Sequence, residues 1–516
     1  MHPKAMSNNK LIAKNTMLLY IRMLIMMAVG LFTSRIVLGA LGASDYGILN
    51  VVGGIVFMAA FLNAGLSQAT QRFISYELGT GDTKRLANVF SNAQIVHVII
   101  ALIVLLLSET MGVWFVNNCL NISPNRMVAA NWVFQFSIFS YLITIISVPY
   151  NSVIVAHEHM NAFAYISIFE VAFKLLVAYC LVLFETDKLI LYSFLLFSVS
   201  LIIRLCYGLY CKHNFEECNT RFSIDKSLLK EMGSFAGWSM LGNLGFIGRD
   251  QGANVILIIF SGTTLNAARG IALQVSSLVN QFSANFTTAM NPQITKLYAA
   301  GDLRKCSTLV YEGSKFSFFL LSAIAIPVII NSDYLLTLWL GDVPPFTSQF
   351  LILSLIVSAL YCLTQTVTVA IQATKRMRTF QLGICLLLLC ELPFVWLILA
   401  LGSPPYYIIM PQIVTSIIGI LFRFYLLKKY VHYFQWSRYV FDVLLRSVFV
   451  ISCSLCLAFV IKSEFPDCFS GFVYTTLYSI IITFVLIYLL GLNKSERNAI
   501  NRNLSKFIHR KKITCL

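Results

Sequence analysis

Fourteen stretches of about 20 mostly apolar residues, separated by short polar connections, run the length of this chain and leave it few folds to choose from. They lie at 17–38, 48–70, 89–108, 128–150, 163–184, 189–211, 233–260, 267–290, 308–330, 350–372, 380–401, 407–427, 441–461 and 471–491. About 20 apolar residues in a helix match the hydrocarbon thickness of a bilayer, and a helix satisfies its own backbone hydrogen bonds where no water can. The expected fold class is therefore an all-α polytopic membrane protein with about 14 transmembrane helices. Composition agrees: of 516 residues, 58% are hydrophobic and 12% charged, with mean hydropathy +0.78, against about 45–50% and about 25% for a soluble domain. That excess excludes a soluble enzyme, a secreted disulfide scaffold and a nucleic-acid partner, despite a formal net charge of +16.

The charge orders the spans instead. With the N-terminus inside, and with Glu312 and Asp442 at the inner ends of their stretches counted among the connections, the inner connections and tails hold 26 Lys+Arg and 11 Asp+Glu, and the outer connections hold 3 and 8. This is the asymmetry of a positive-inside topology, and it places both termini on the cytoplasmic side. Lys84-Arg85, Arg304-Lys305, Lys428-Lys429 and the tail Arg510-Lys511-Lys512 carry the inner set, where they are solvated or face anionic headgroups of membrane lipids. The polar start of the chain leads into an apolar stretch too long for a signal-peptide core and without a small-residue cleavage site, so the first span is expected to stay attached. The thirteen cysteines lie mostly inside apolar runs; Cys453 and Cys456 form a C-x-x-C within a span with no second pair, which reads as packing rather than zinc.

An internal repeat divides the spans. Gly81-Asp82-Thr83-Lys84-Arg85 after the second span is echoed 220 residues later by Gly301-Asp302-Leu303-Arg304-Lys305 after the eighth, and Met160-x-x-Phe163 by Met377-x-x-Phe380. Two halves of six spans would insert in the same orientation, as in parallel-repeat transporters. The expected domains are an N-terminal lobe at 1–211, a C-terminal lobe at 212–430, and two further helices with a basic tail at 431–516.

Between the first two spans stands Arg35-Ile36-Val37-Leu38-Gly39-Ala40-Leu41-Gly42-Ala43-Ser44-Asp45-Tyr46-Gly47. This stretch resembles the opening signature of the Wzx-type polysaccharide and O-antigen flippases, in the MATE-like multidrug/oligosaccharidyl-lipid/polysaccharide exporter superfamily. The resemblance implies two six-helix lobes plus two helices that move an undecaprenyl-diphosphate-linked oligosaccharide across the bacterial inner membrane by alternating access. It further implies a polysaccharide polymerase and glycosyltransferases as partners. The lipid II exporters of the superfamily carry a basic-acidic pair in mid-span one, where this chain has Met26-Met27-Ala28-Val29. Read physically, Gly42 and Gly47 permit a tight outer turn, Asp45 can cap the second span, and Arg35 can pair with Asp45.

Charges inside spans are costly and should face protein or water. They are Arg22, Arg35, Lys174, Arg204, Arg249, Arg269, Lys315, Arg423 and Arg446 against Glu170, Asp250 and Glu391. Arg204, Lys315, Arg423 and Arg446 lie near inner ends and can snorkel; Glu170 and Lys174 are an i,i+4 pair. Arg249 lies mid-span in the Gly-rich seventh stretch, and its neighbour Asp250 is about 100° round the helix, so the two need not pair. Arg22, Arg249 and Arg269, with Arg35, are the expected substrate-binding cations, since the guanidinium fork matches phosphate oxygens. Asp250, Glu170 and Lys174 are left to coupling or charge balance.

No metal, cofactor or enzymatic role is expected. His157-Glu158-His159 lacks the H-E-x-x-H spacing, no G-x-x-x-x-G-K-[ST] occurs, and the longest outer segments, near 109–127 and 331–349, are too short for an active-site domain. Two classes remain: export of a lipid-linked anionic glycan, and a MATE-type multidrug/cation antiporter. Nine embedded cations against three acids favour the anion.

Overall fold

The apolar stretches are helices, because only a self-bonded backbone is stable where water is absent. A computed structural model describes residues 8–57, 60–118, 120, 122–184, 186–219, 223–374, 377–430, 434–466, 468–494, 496–498 and 501, and among these every regular element is helical. In chain order they are α1 (Asn8–Phe57), α2 (Ala60–Thr80), α3 (Thr83–Asn118), α4 (Pro124–Ala156), α5 (Met160–Leu183), α6 (Lys188–Asn214) and α7 (Lys226–Ala299). There follow α8 (Leu303–Ile330), the short α9 (Ser332–Leu340), α10 (Thr347–Ala373), α11 (Met377–Ala400), α12 (Pro405–Tyr430), α13 (Trp436–Glu464) and α14 (Phe469–Gly491).

Ten helices among the described residues are long and apolar enough to cross a membrane: α3 to α6, α8 and α10 to α14. They coincide with expected spans three to six and nine to fourteen. The other four expected spans lie in α1, α2 and α7. Long runs in two of these conceal turns. In α1 the backbone leaves helical geometry at Gly42, with φ 75° and ψ 169°, a conformation that costs glycine little. In α7, Arg269 Nη2 lies 3.8 Å from Asp250 Oδ1, whereas 19 residues of straight helix would span about 28 Å. The chain therefore reverses between them, and α7 is two antiparallel arms.

The two connections of the expected repeat share one local structure. Gly81 and Gly301 both have φ +77°; then Asp82 Oδ1 accepts the Arg85 amide at 3.0 Å and Asp302 Oδ1 accepts the Lys305 amide at 3.2 Å. A left-handed glycine ends one helix and an acidic cap starts the next. Asp45 caps nothing. Its carboxylate takes Arg126, whose Nε donates to Oδ1 at 2.9 Å, and Arg126 Nη1 also donates to Asp187 at 2.8 Å. The Arg35 side chain lies outside the described residues.

Contacts divide the chain into two compact units that cut across the expected lobes. The first takes residues 1–248, 288–306 and 369–386, and the second 249–287, 307–368 and 387–516. Within the first, both ends of α7, the start of α8, the end of α10 and the start of α11 pack with α1 to α6; Leu19, Val155, Met160 and Ala289 make one such buried cluster. The core of the second is built from the outer part of α7 with α8, α10 and α11, around Leu257, Ala272, Leu321, Leu355 and Val395. Here α13 packs against α8 through Ala458, Ile326 and Ile330, and Asn331 at the end of α8 accepts from Thr475 of α14 at 3.1 Å.

Candidate functional site

In the second unit the embedded charges of α7 and α11 meet. Arg249 turns back along its own helix and donates to Asp250 Oδ1 from Nε at 3.1 Å and from Nη2 at 2.9 Å. The helical angle between neighbours does not prevent this, because the guanidinium sits on a stem long enough to fold over the next residue. Behind it, Glu391 Oε2 lies 3.9 Å from Arg249 Nε. Glu391 is only 1% exposed; Thr415 of α12 donates to its Oε1, while buried Oε2 has no hydrogen-bond partner. Arg269, on the second arm of α7, donates to the Asp250 carbonyl at 3.4 Å and to the Asn254 side chain.

Two cations and two carboxylates thus form one balanced cluster, and its exposure is uneven. The side chain of Arg269 is 1% exposed and that of Asp250 is 42% exposed, so the most accessible charge is an acid. Burying an arginine this deeply requires partners; the cluster supplies an ion pair and two acceptors to the Nη groups of Arg269, while its buried Nε has no hydrogen-bond partner among the described residues. Close packing brings α11 to α7: a Cβ at Gly252 would come 2.8 Å from Leu392, one residue beyond Glu391.

The first unit holds Arg22, Glu170 and Lys174. Lys174 Nζ donates to Glu170 Oε1 at 2.6 Å, the i,i+4 pair that the spacing predicts. Lys174 also lines a cavity of about 260 Å³ with the hydroxyls of Ser140, Thr144, Ser193 and Ser200. Arg22 is held differently. Its guanidinium carbon lies 4.4 Å from the Phe163 ring centre, no carboxylate is within ion-pair distance among the described residues, and its buried Nε has no hydrogen-bond partner there.

Three of the four cations expected to snorkel, Lys315, Arg423 and Arg446, find hydrogen-bond partners inside the protein. Lys315 donates to both oxygens of Glu496 at 2.6 Å. Arg446 caps the end of α14 through the Leu490 carbonyl at 2.6 Å and the Leu492 carbonyl at 3.0 Å. Arg423 donates to Thr368 at 3.0 Å and to the Gly419 carbonyl at 3.1 Å.

Arg72 was hidden from sequence reading because it falls just past the second apolar stretch. It is buried in α2 and donates to the Gln372 and Ala373 carbonyls at 3.2 and 3.0 Å, at the C-terminal end of α10. A cation there offsets the negative end of the helix dipole. Nearby, Glu158 takes φ 63°, and its carboxylate accepts from Lys296 at 2.8 Å and from Gln293 at 2.9 Å. Arg72 and Glu158 therefore tie together segments from the two expected lobes, at the ends of α10 and α7. The flanking histidines are occupied too: His157 Nε2 lies 2.6 Å from Glu217, and His159 Nδ1 lies 3.1 Å from the Tyr210 hydroxyl. Burial alone would push the Glu217 carboxyl up, but the hydrogen bond and charge of His157 outweigh it and hold the group below its usual range.

Known proteins can be set beside this geometry. Residues 20–180 match the MatE family profile. No curated protein matches the chain. Among solved structures, MATE in the bent conformation aligns with TM-score 0.70 at 15% identity, over 83% of this chain and 98% of that one. An outward-facing multidrug resistance MATE family transporter of the MOP superfamily aligns with TM-score 0.68 at 15% identity, over 83% and 99%. A MOP superfamily transporter from Pyrococcus furiosus, whose binding pocket is described as reversed in polarity and suggestive of a different function, aligns with TM-score 0.68 at 15% identity, over 82% and 98%. The fold is that of the MATE-like transporters, and the chain is a multi-pass membrane protein of that architecture.

Proposed function

We propose that this protein moves an undecaprenyl-diphosphate-linked oligosaccharide across the bacterial inner membrane for surface polysaccharide assembly. The observation that carries the reading is Arg22: a guanidinium in the first span held on an aromatic face, with a buried donor that no described residue satisfies. Such a donor on a cation suits a diphosphate, which offers several charged acceptors to the guanidinium fork. Arg249 and Arg269 already have carboxylate partners, so their role is to hold Asp250 and Glu391 in place. Those two acids then serve coupling to a cation gradient. Both termini are cytoplasmic in this reading, and the polymerase and glycosyltransferases of the same assembly are its partners.

Deleting the gene and extracting lipid-linked intermediates from each leaflet tests the reading. Accumulation of one undecaprenyl-linked oligosaccharide in the inner leaflet is the expected result. An unchanged leaflet distribution would overturn it.

A second reading, antiport of an organic cation, is favoured by one observation: Asp250 is the accessible charge of the balanced cluster, with buried Glu391 behind it. Hypersensitivity of the deletion strain to organic cations, with normal surface glycan, is what it predicts.

A further inference from the structure

A cavity of about 390 Å³ lies in the first unit among α3, α4, α6 and the connection after α6, lined by none of the residues given a substrate or coupling role above. Phe90, Val98, Ile146, Tyr150, Arg204 and Lys212 are among its lining residues. We propose that it is a binding site for the phosphoryl headgroup of an anionic phospholipid, seated at the inner-leaflet ends of these helices.

The cations are arranged for an anion. Arg204 stacks on Tyr150, its guanidinium carbon 3.9 Å from the ring centre. Tyr150 is itself fixed, since its hydroxyl accepts from Gln94 at 2.6 Å and its ring meets Phe90 edge-on at 5.3 Å. A Cβ at Gly208, one turn beyond, would come 2.8 Å from Arg204 Nη1, so glycine there is what lets the guanidinium lie flat. Neither Arg204 nor Lys212 has a carboxylate within ion-pair distance among the described residues, and Arg204 donates no hydrogen bond to them. The stacked fork therefore presents its N–H groups to the cavity, and Lys212 adds a second charge.

The surroundings select a lipid over a soluble anion. Val98 and Leu102 on α3, and Leu201, Leu205 and Leu209 on α6, are exposed. Val98 itself lines the cavity, and these exposed apolar side chains on the same two helices suit acyl chains. Arg204 lies 10 residues and Lys212 two residues before Asn214 at the end of α6, on the side where the sequence places the inner connections. Basic pockets between helices on that side are suited to anionic headgroups.

The test uses the full chain, purified in detergent and delipidated, with native mass spectrometry reading bound phosphatidylglycerol, phosphatidylcholine or inorganic phosphate. Wild type should retain phosphatidylglycerol over phosphatidylcholine. Arg204→Gln and the exposed Lys212→Gln should each weaken retention about fivefold, while Lys305→Gln, at a solvent-facing basic position, should leave it unchanged. Gly208→Ala should weaken it by displacing the guanidinium with both charges intact. Equal retention of phosphatidylglycerol and phosphatidylcholine, unchanged retention in folded Lys212→Gln, an equal loss in Lys305→Gln, or displacement by millimolar inorganic phosphate would each overturn the assignment.

Discussion

Arg22 and Arg249 are both arginines within apolar spans, yet the two units hold them in opposite ways. Arg249 is committed: one carboxylate at 2.9 Å and a second at 3.9 Å neutralise it. Arg22 rests on the Phe163 ring and keeps a buried donor open. A cation–π contact holds a guanidinium in place without consuming its hydrogen-bonding fork, whereas a carboxylate consumes both charge and fork. An embedded arginine is therefore informative about a substrate only when its partners are known. By that test the number of embedded cations overstates the anion-binding capacity of this chain, and the location of the uncommitted ones matters more.

The largest expected effect follows from the committed residue. Arg249→Ala leaves Glu391 buried beside no comparable cation, and breaking a buried pair costs about 3–5 kcal/mol. Membrane abundance and thermal stability should fall, and adding Glu391→Gln should restore them. If Arg249→Ala were fully stable yet inactive, Arg249 would belong with Arg22 and the contrast would be lost. Next comes Arg22→Ala, which removes about 1.5–3 kcal/mol of charge-assisted contact to an anion and little packing. Surface glycan should be lost at normal abundance, and Arg22→Lys should rescue in part, keeping charge without the bidentate geometry. Surface glycan and abundance measured together distinguish the two arginines.

Smaller effects belong to the inner connections. Lys296→Gln removes the charge partner of Glu158, a partly buried pair, and should lower stability by roughly 1 kcal/mol. Labelling of a cysteine placed at Thr80 should become faster as this tie between segments loosens; unchanged labelling would show that Arg72 alone holds it. Glu217 gives the smallest effect. Its pKa is depressed in the folded protein, so its contribution is present above the ordinary carboxylate value and is lost as pH falls through the depressed one. Wild type should lose stability below about pH 4 by slightly more than Glu217→Gln, in thermal melts across that range.

Much of this was legible in the sequence, for reasons that are local. The apolar runs gave the helices, Gly42 the break in α1, and Gly81-Asp82 with Gly301-Asp302 the shared connection, because each is decided within a few residues. The pair Glu170–Lys174 was legible from i,i+4 spacing alone. What was not legible was set by contacts distant in sequence. Glu391 reaches Arg249 from 142 residues away, and Asp45 is reached by Arg126 from 81 residues away. Arg72 looked like a loop cation because its apolar surroundings, Phe73, Tyr76 and Phe235, come partly from another helix. The angle between neighbours on a helix argued against Arg249–Asp250, but it constrains Cβ directions and not the end of a long side chain.

The central claim is that an anionic lipid-linked glycan is carried and that Arg22 binds its diphosphate. Purified wild-type and Arg22→Ala proteins in proteoliposomes, given a fluorescent undecaprenyl-diphosphate oligosaccharide, test it in one measurement of leaflet exchange. Wild type should exchange the lipid without ATP, and Arg22→Ala should be slower by about tenfold or more, the equivalent of about 1.4 kcal/mol. Equal exchange by both proteins would remove Arg22 from the site. No exchange by the folded wild type, with gradient-driven efflux of an organic cation from the same vesicles, would contradict the account.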